Sequence, residues 1–367
     1  MRAVDIAIGL LGVGGLGLVL WDVFQTIVVP RPSPSRLRLA RYVVPPAWRA
    51  WRAVATRTRT GIDRDQLLGL YAPAAAILLL VLWLAVIVIG YGLILFALRA
   101  ELRPSPDDLG TAIYFAGTSV LTIGYGDIIA GGAVSRLVVL TAAVAGLGLV
   151  ALVITFLFSL YGSYQRREIL VVSLSARAKA PPSAVALLET QARLGLVDEL
   201  PALFADWERW TAEVLDTHVA YPLLGYFRSS HDETSWISAL GAILDAAALV
   251  LTTIRGVPRG QAEITKRVGA HLVEDISNNL GLAGDGSRVD RDQFDEVYRR
   301  LGEAGYDLEP EDNAWHAFER ARSSFAGRLE AIADYWATPA TLWVGQTRVG
   351  ASAVHEAPAA TSSQDAR

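Results

Sequence analysis

Two stretches of this chain, Gln66 to Leu98 and Leu137 to Gln165, contain no charged residue at all. About 20 apolar residues in a helix span the roughly 30 Å hydrocarbon core of a bilayer, and both runs exceed that length. Hydrocarbon offers a backbone no hydrogen-bond partners, so each run is expected to be a membrane-crossing helix. The second, about 43 Å long at 1.5 Å per residue, is expected to tilt or to project beyond the core. A third candidate, Val4 to Val29, is rich in glycine and interrupted only by Asp5 and Asp22. No small-residue cleavage site follows it, since Trp21-Asp22-Val23-Phe24 is unlike one, so a retained helix is expected rather than a cleaved leader.

Beyond residue 165 charged and apolar residues alternate as they do in a domain surrounded by water. The 52% hydrophobic content and the mean hydropathy of +0.34 therefore average two regions built for different solvents. A net charge of −4, with no basic stretch beside stacking aromatics in the water-surrounded region, gives no footprint for a nucleic-acid partner. The absence of cysteine excludes disulfides, thiolate metal sites and a cysteine nucleophile.

The arginines orient the chain. Arg31, Arg36, Arg38, Arg41, Arg49, Arg52, Arg57, Arg59 and Arg64 lie between the first and second spans against only Asp63 and Asp65. The next loop holds Arg99 and Arg103 against Glu101, Asp107, Asp108 and Asp127. The basic loop is expected to be cytoplasmic, which puts the amino terminus outside and everything after Arg166-Arg167 inside. Following Pro45-Pro46, Trp48, Trp51 and Ala55 share a helical face from which Arg49 and Arg52 are displaced. This reads as a short helix in the inner interface, with a solvated linker as the alternative. The irregular arginines among Pro30, Pro32 and Pro34 are not a voltage sensor, which needs charge at regular spacing on an apolar spanning helix.

Between the second and third spans, Asp108 to Asp127 is too polar to cross the membrane and too apolar for an ordinary loop, so a re-entrant element is expected. Ser105, Pro106 and Asp108 form a start signal, with a cap, a first-turn proline and an acid at the positive dipole end. About 12 helical residues then reach Thr122-Ile123-Gly124-Tyr125-Gly126-Asp127. That string resembles the selectivity filter of potassium channels, usually Thr-Val-Gly-Tyr-Gly-Asp, and it sits between two spans behind a short helix as in that family. Residues 70 to 164 carry the resemblance, in particular to the bacterial channels with one pore loop per chain. It implies that the carbonyls of Thr122, Ile123, Gly124 and Tyr125, with the Thr122 hydroxyl, replace the water around K⁺. Gly124 and Gly126 supply the positive φ that such a backbone needs. One loop per chain implies a homotetramer, whose four pore-helix carboxyl ends would contribute on the order of two negative charges towards the cavity.

Departures from the family pattern fall around the filter. Ile123 stands where valine is usual, Thr118 where several members place a glutamate behind the filter, and Phe115 where tryptophan is frequent. Tyr114 is expected to supply part of the missing hydrogen bonding to Asp127, and Tyr125 to point into a cuff with Tyr114 and Phe115. Gly146 matches the family's inner-helix hinge position, with Gly148 as a competitor; close helix packing explains a membrane glycine equally well. Asp22 is expected to pair with an arginine of the basic loop. Trp21 to Thr26 before Pro30-Arg31 resembles a recurrent feature of single-pore channels with an extra first helix.

The distal region lacks the glycine turn of a nucleotide-binding module. Glu168 to Ser175 is compatible with one strand, and residues 183 to 337 read as helices over 183–194, 199–219, 235–255, 260–280, 291–304 and 310–337. In the last, Trp315, Phe318, Phe325, Leu329, Ile332 and Trp336 make an apolar stripe interrupted by Arg322, as in a bundle core. Ile237 to Ile254, with Asp245 near its centre, is expected to be a buried core helix rather than a fourth span. His271 with Glu274 and Asp275, and His231-Asp232-Glu233, have metal-ligand spacing but read as surface charge. Gly284-Asp285-Gly286 lacks the ligand series of a calcium loop. No nucleophile and base are paired, so no enzyme is expected.

The reading is an all-α membrane protein of three transmembrane helices with a re-entrant pore helix and selectivity filter, plus an all-helical cytoplasmic domain. Its parts are a first helix (1–30), a basic linker (31–65), a pore domain (66–165), a helical domain (166–350) and a tail (351–367) small and polar enough for disorder. The expected function is passive K⁺ permeation in the cell membrane, with K⁺ as permeant ion, no cofactor, and an unknown ligand or protein acting on the cytoplasmic domain. A potassium-uptake subunit and a signalling scaffold with a vestigial pore are the alternatives. The single well-matched loop disfavours the first, and intact Thr122, Gly124, Tyr125 and Gly126 disfavour the second.

Overall fold

A computed structural model of the chain describes residues 3–29, 39–57, 61–229, 234–284, 290–338 and 343–344. Among the described residues three helices are long and apolar enough to cross a membrane: Ala3–Val28, Arg64–Ala97 and Ala133–Ala178. The first is α1 (Ala3–Val23), which widens into a π-helical turn over Phe24–Val28. After α2 (Leu39–Ala55) and α3 (Gly61–Gly69), the second span is mostly α4 (Tyr71–Ala97). A two-residue ribbon, β1 (Leu102–Arg103) with β2 (Ile129–Ala130), brackets α5 (Leu109–Val120). The third span is α6 (Ala133–Ala178). Then follow α7 (Ala184–Arg193), α8 (Leu200–Ala220), α9 (Trp236–Thr252), α10 (Gly260–Leu280), α11 (Arg291–Glu303), α12 (Glu311–Ser323) and α13 (Ala326–Trp336).

Glycine lets the membrane helices approach closely. A Cβ on Gly12 of α1 would lie 2.6 Å from the Gly90 carbonyl of α4, and one on Gly92 would lie 2.9 Å from the Ile113 Cα of α5. Small residues at these crossings replace the hydrophobic drive that hydrocarbon cannot supply. One core, with Val19, Trp83, Ile87, Phe115 and Val120, ties α1, α4, α5 and α6 together. A second core begins at the far ends of α4 and α6 and runs through the whole helical domain. Its axis is α9, in which every residue from Trp236 to Val250 is buried.

Four sequence expectations are corrected. Glu168 to Ser175 is not a strand but the continuation of α6, whose 46 residues make it about 69 Å long. Arg167, Val171, Leu174 and Ala178 are buried at helical spacing, and that packing overrides the β-branched run. The 310–337 segment is two helices, because Phe325 leaves the helical region (φ −135°) and re-aims the chain between α12 and α13. The helix after the first span starts at Leu39, upstream of Pro45-Pro46, and its apolar face meets protein rather than lipid. Trp48 is buried against Tyr71 and Tyr226, and its indole donates to the Tyr335 carbonyl at 3.0 Å. Finally, α5 starts at Leu109, so its cap is Asp108 and not Ser105. His231-Asp232-Glu233, Asp285-Gly286, Arg31, Arg36, Arg38, Arg59 and the tail from residue 351 lie outside the described residues.

Candidate functional site

The 12 residues of α5 are launched by Asp108, whose carboxylate accepts from the Thr111 backbone N–H and hydroxyl, each at 2.9 Å. Those hydrogen bonds hold the Asp108 carboxyl below its ordinary pKa, as expected of a charge that satisfies a helix's free N–H groups. At the other end Val120 is wedged against α6, where a Cβ on Gly146 would lie 1.8 Å from the Val120 carbonyl. Gly146 is therefore a packing position in an unbroken helix, whereas a Cβ on Gly148 would meet nothing within 4 Å.

Beyond α5 the chain alternates in hand. Thr122, Gly124 and Gly126 take positive φ (54°, 60° and 79°), while Ile123 and Tyr125 between them do not. Such alternation between left-handed and ordinary residues is the backbone of neither strand nor helix. Nothing lies within 4 Å of a Cβ built on Gly124 or Gly126, so backbone conformation, not space, demands glycine there. The sequence pointed to the two glycines; the left-handed Thr122 carries no comparable signal.

Hydrogen bonds hold the loop from behind. The Thr118 carbonyl accepts from the N–H groups of Ile123 (2.8 Å) and Gly124 (3.3 Å), while the Thr118 hydroxyl donates back to the Phe115 carbonyl at 2.9 Å. Thr118 thus acts on the loop through its backbone. Tyr114 donates its hydroxyl to Asp127 at 2.9 Å, so the hydrogen bond expected between them is present and ties the end of the loop to α5. Phe115 is buried, whereas Tyr125 is 69% exposed on the single chain and does not close a cuff with it there.

One support of the loop, Glu101, carries no signal in the sequence. Glu101 accepts from the Gly131 N–H through its carbonyl (2.8 Å) and from the Ser135 N–H through its carboxylate (2.9 Å). It closes the ribbon and caps α6 at once, a long-range pairing that no local pattern announces. Buried Asp22 accepts from the Trp83 indole of α4 at 2.7 Å, which ties α1 to α4. The Asp5–Arg99 pair at 2.7 Å joins the start of α1 to the turn that follows α4.

In the helical domain His271 approaches Asp275 at 3.7 Å, and Glu274 pairs instead with Arg328 at 3.1 Å. Among the described residues no three His, Asp or Glu side chains gather closely enough to hold a metal ion.

Residues 77–162, less than a quarter of the chain, match a family of sequences described as "Ion channel". That segment covers most of α4, the ribbon, α5, the loop and α6 to its aromatic end. The protein is an all-α membrane protein that carries an ion-channel domain. Neither the curated proteins nor the solved structures gave a match.

Proposed function

We propose that this chain is the subunit of a potassium-selective channel, with four copies around one pore, K⁺ flowing passively down its gradient, and opening controlled through the helical domain. The observation that carries the reading is the alternating backbone at Thr122, Gly124 and Gly126, held by Thr118 and by Asp127 through Tyr114. In the assembled pore the carbonyls of Thr122, Ile123, Gly124 and Tyr125, with the Thr122 hydroxyl, bind dehydrated K⁺. Rings of such oxygens replace water around K⁺ better than around the smaller Na⁺. Assembly is supported by what a single chain leaves open. Residues 121–127 are exposed, and so is an apolar face of α6 that includes Leu137, Leu140, Val144, Leu147 and Phe158. In this reading the amino terminus is outside, the helical domain is cytoplasmic, and the chain lies in the cell membrane.

The test is flux into liposomes holding the purified protein. Wild type is expected to take up K⁺ and Rb⁺ and to exclude Na⁺. Gly124→Ala or Gly126→Ala should lose the uptake or its selectivity, because a methyl group penalises the positive φ by roughly 1–2 kcal/mol per residue in each of four subunits. Unchanged uptake and selectivity in both variants would reject the assignment.

A further inference from the structure

Arg167 is a cation that the channel reading does not use. It lies near the domain end of α6 and is only 3% exposed. Its guanidinium donates to Glu168 Oε1 from two nitrogens (3.1 and 3.0 Å), to the Leu224 carbonyl (2.9 Å) and to the Phe227 carbonyl (2.9 Å). It also stacks over the Tyr164 and Trp236 rings. A further contact, from Nη1 to His218 Nε2 at 3.3 Å, fixes that imidazole as an acceptor, since arginine only donates and His218 Nδ1 faces the Val214 carbonyl at 2.9 Å. A planar fork with donors in fixed directions can serve these partners together; a lysine ammonium cannot.

The segment it grips also holds the other pore helix. Tyr226 packs between Tyr71 at the start of α4 and Trp48 of α2, both ring pairs being 5.4 Å apart. Arg228 pairs with Asp65 at 3.0 Å just before α4, while its carbonyl accepts from Tyr164 of α6 at 3.1 Å. The same few residues are anchored in the domain. A Cβ on Gly225 would lie 2.1 Å from the Trp336 ring, and Arg228 donates to the Ala337 carbonyl at 3.0 Å.

We infer that residues 224–228 are a clasp that sets the separation of the domain-side ends of α4 and α6, and that Arg167 is the residue positioning α6 in it. The inference rests on the channel reading only for its consequence. If opening requires the ends of α6 to move relative to α4, the clasp, with the α2 contacts beside it, is where the helical domain ties those two helices to each other and so where it can drive or resist that movement. A domain ligand would then act by its differential affinity for the clasped and released arrangements.

The test uses the full chain in lipid and needs no known stimulus. Because the chain has no cysteine, spin labels can be placed at Leu70→Cys on the α4 side and Gln165→Cys on α6, both exposed positions. The wild-type background should give a narrow distance distribution. Arg167→Met should broaden and shift it, Arg167→Lys should do so less, and Asp65→Asn should broaden it from the other arm with Arg167 intact. In bilayer recordings Arg167→Met should change open probability by about tenfold, the effect expected from losing a charge-assisted hydrogen bond, with K⁺ over Na⁺ preference unchanged. Asp65→Asn and Arg167→Lys keep the test alive if Arg167→Met does not fold. Wild-type distances in both of them would overturn the clasp, as would a folded Arg167→Met protein with wild-type distance and open probability. Shifted distances in a protein that carries no K⁺ would support the clasp and sink the channel reading instead.

Discussion

At the scale of single residues, Gly146 and Gly148 separate two explanations that sequence leaves standing together. A methyl group at Gly146 would run into the Val120 carbonyl, while one at Gly148 would meet nothing. Overpacking against backbone costs about 1–3 kcal/mol, and a helical glycine with open space beside it gains up to about 1 kcal/mol when replaced by alanine. Gly146→Ala is therefore expected to lower the melting temperature of the solubilised protein and to disturb the loop that Val120 precedes, and Gly148→Ala to leave both unchanged or raise stability slightly. Equal melting temperatures in the two variants, with gating altered by Gly146→Ala alone, would restore the hinge explanation.

At the scale of elements, the helical domain is held by buried polar groups whose protonation sets its response to pH. Burial, and then Arg167 beside it, hold the His218 pKa down to about 3 from 6.5. Between those values the unfolded chain binds a proton that the folded domain refuses, so this contribution is complete above about pH 6.5 and is lost on acidification. Asp245 of α9 acts in the opposite sense. It pairs with Arg322 of α12 at 3.0 Å, but burial outweighs that attraction and raises its pKa to about 6 from 3.8. Its contribution is complete below about pH 4 and is lost as pH rises through 6. Melting curves of the solubilised protein from pH 7 down to pH 4 should therefore show a stability loss that His218→Gln flattens. Asp245→Asn should be less stable throughout, with a steeper loss between pH 6 and 4. Parallel curves for all three proteins would contradict this assignment.

Elements also show what was legible in the sequence and why. The three spans were, because charge-free runs in hydrocarbon have one solution. So were the length of α5 and the glycines after it, because the positive φ at Gly124 and Gly126 excludes most other residues. The clasp was not, since Arg167 looks like an ordinary boundary arginine until the chain brings Leu224 and Phe227 to it from distant positions. The break at Phe325 was hidden because Phe318, Phe325, Leu329 and Ile332 keep a helical rhythm through it, while Arg322, read as an interruption, turns inward to Asp245. Glu101 was missed for the same reason as Arg167, its partner Ser135 being contributed by a different element.

At the scale of the whole molecule, α6 joins two solvents in one rod. Its first part packs on α5 at Gly146, and its last part lies in the core of the helical domain through Val171, Leu174 and Ala178. The helical domain is thereby connected to the helix that borders the loop, while the loop keeps its own supports at Thr118 and Asp127. The proposed orientation makes a separate prediction. Impermeant thiol reagents added outside intact cells should modify Val4→Cys and not Ile169→Cys, two positions exposed on the single chain. Modification of both from one side would mean that the number of spans between them is even.

Selection of K⁺ by the loop from Thr122 to Asp127, as proposed, is read from the reversal potential under bi-ionic conditions. With K⁺ on one side of a planar bilayer and Na⁺ on the other, the full-length protein should carry current that reverses strongly towards the K⁺ equilibrium potential, and replacing K⁺ by Rb⁺ should move that potential little. A reversal potential near zero, with Na⁺ carrying current as well as K⁺ does, would contradict the account.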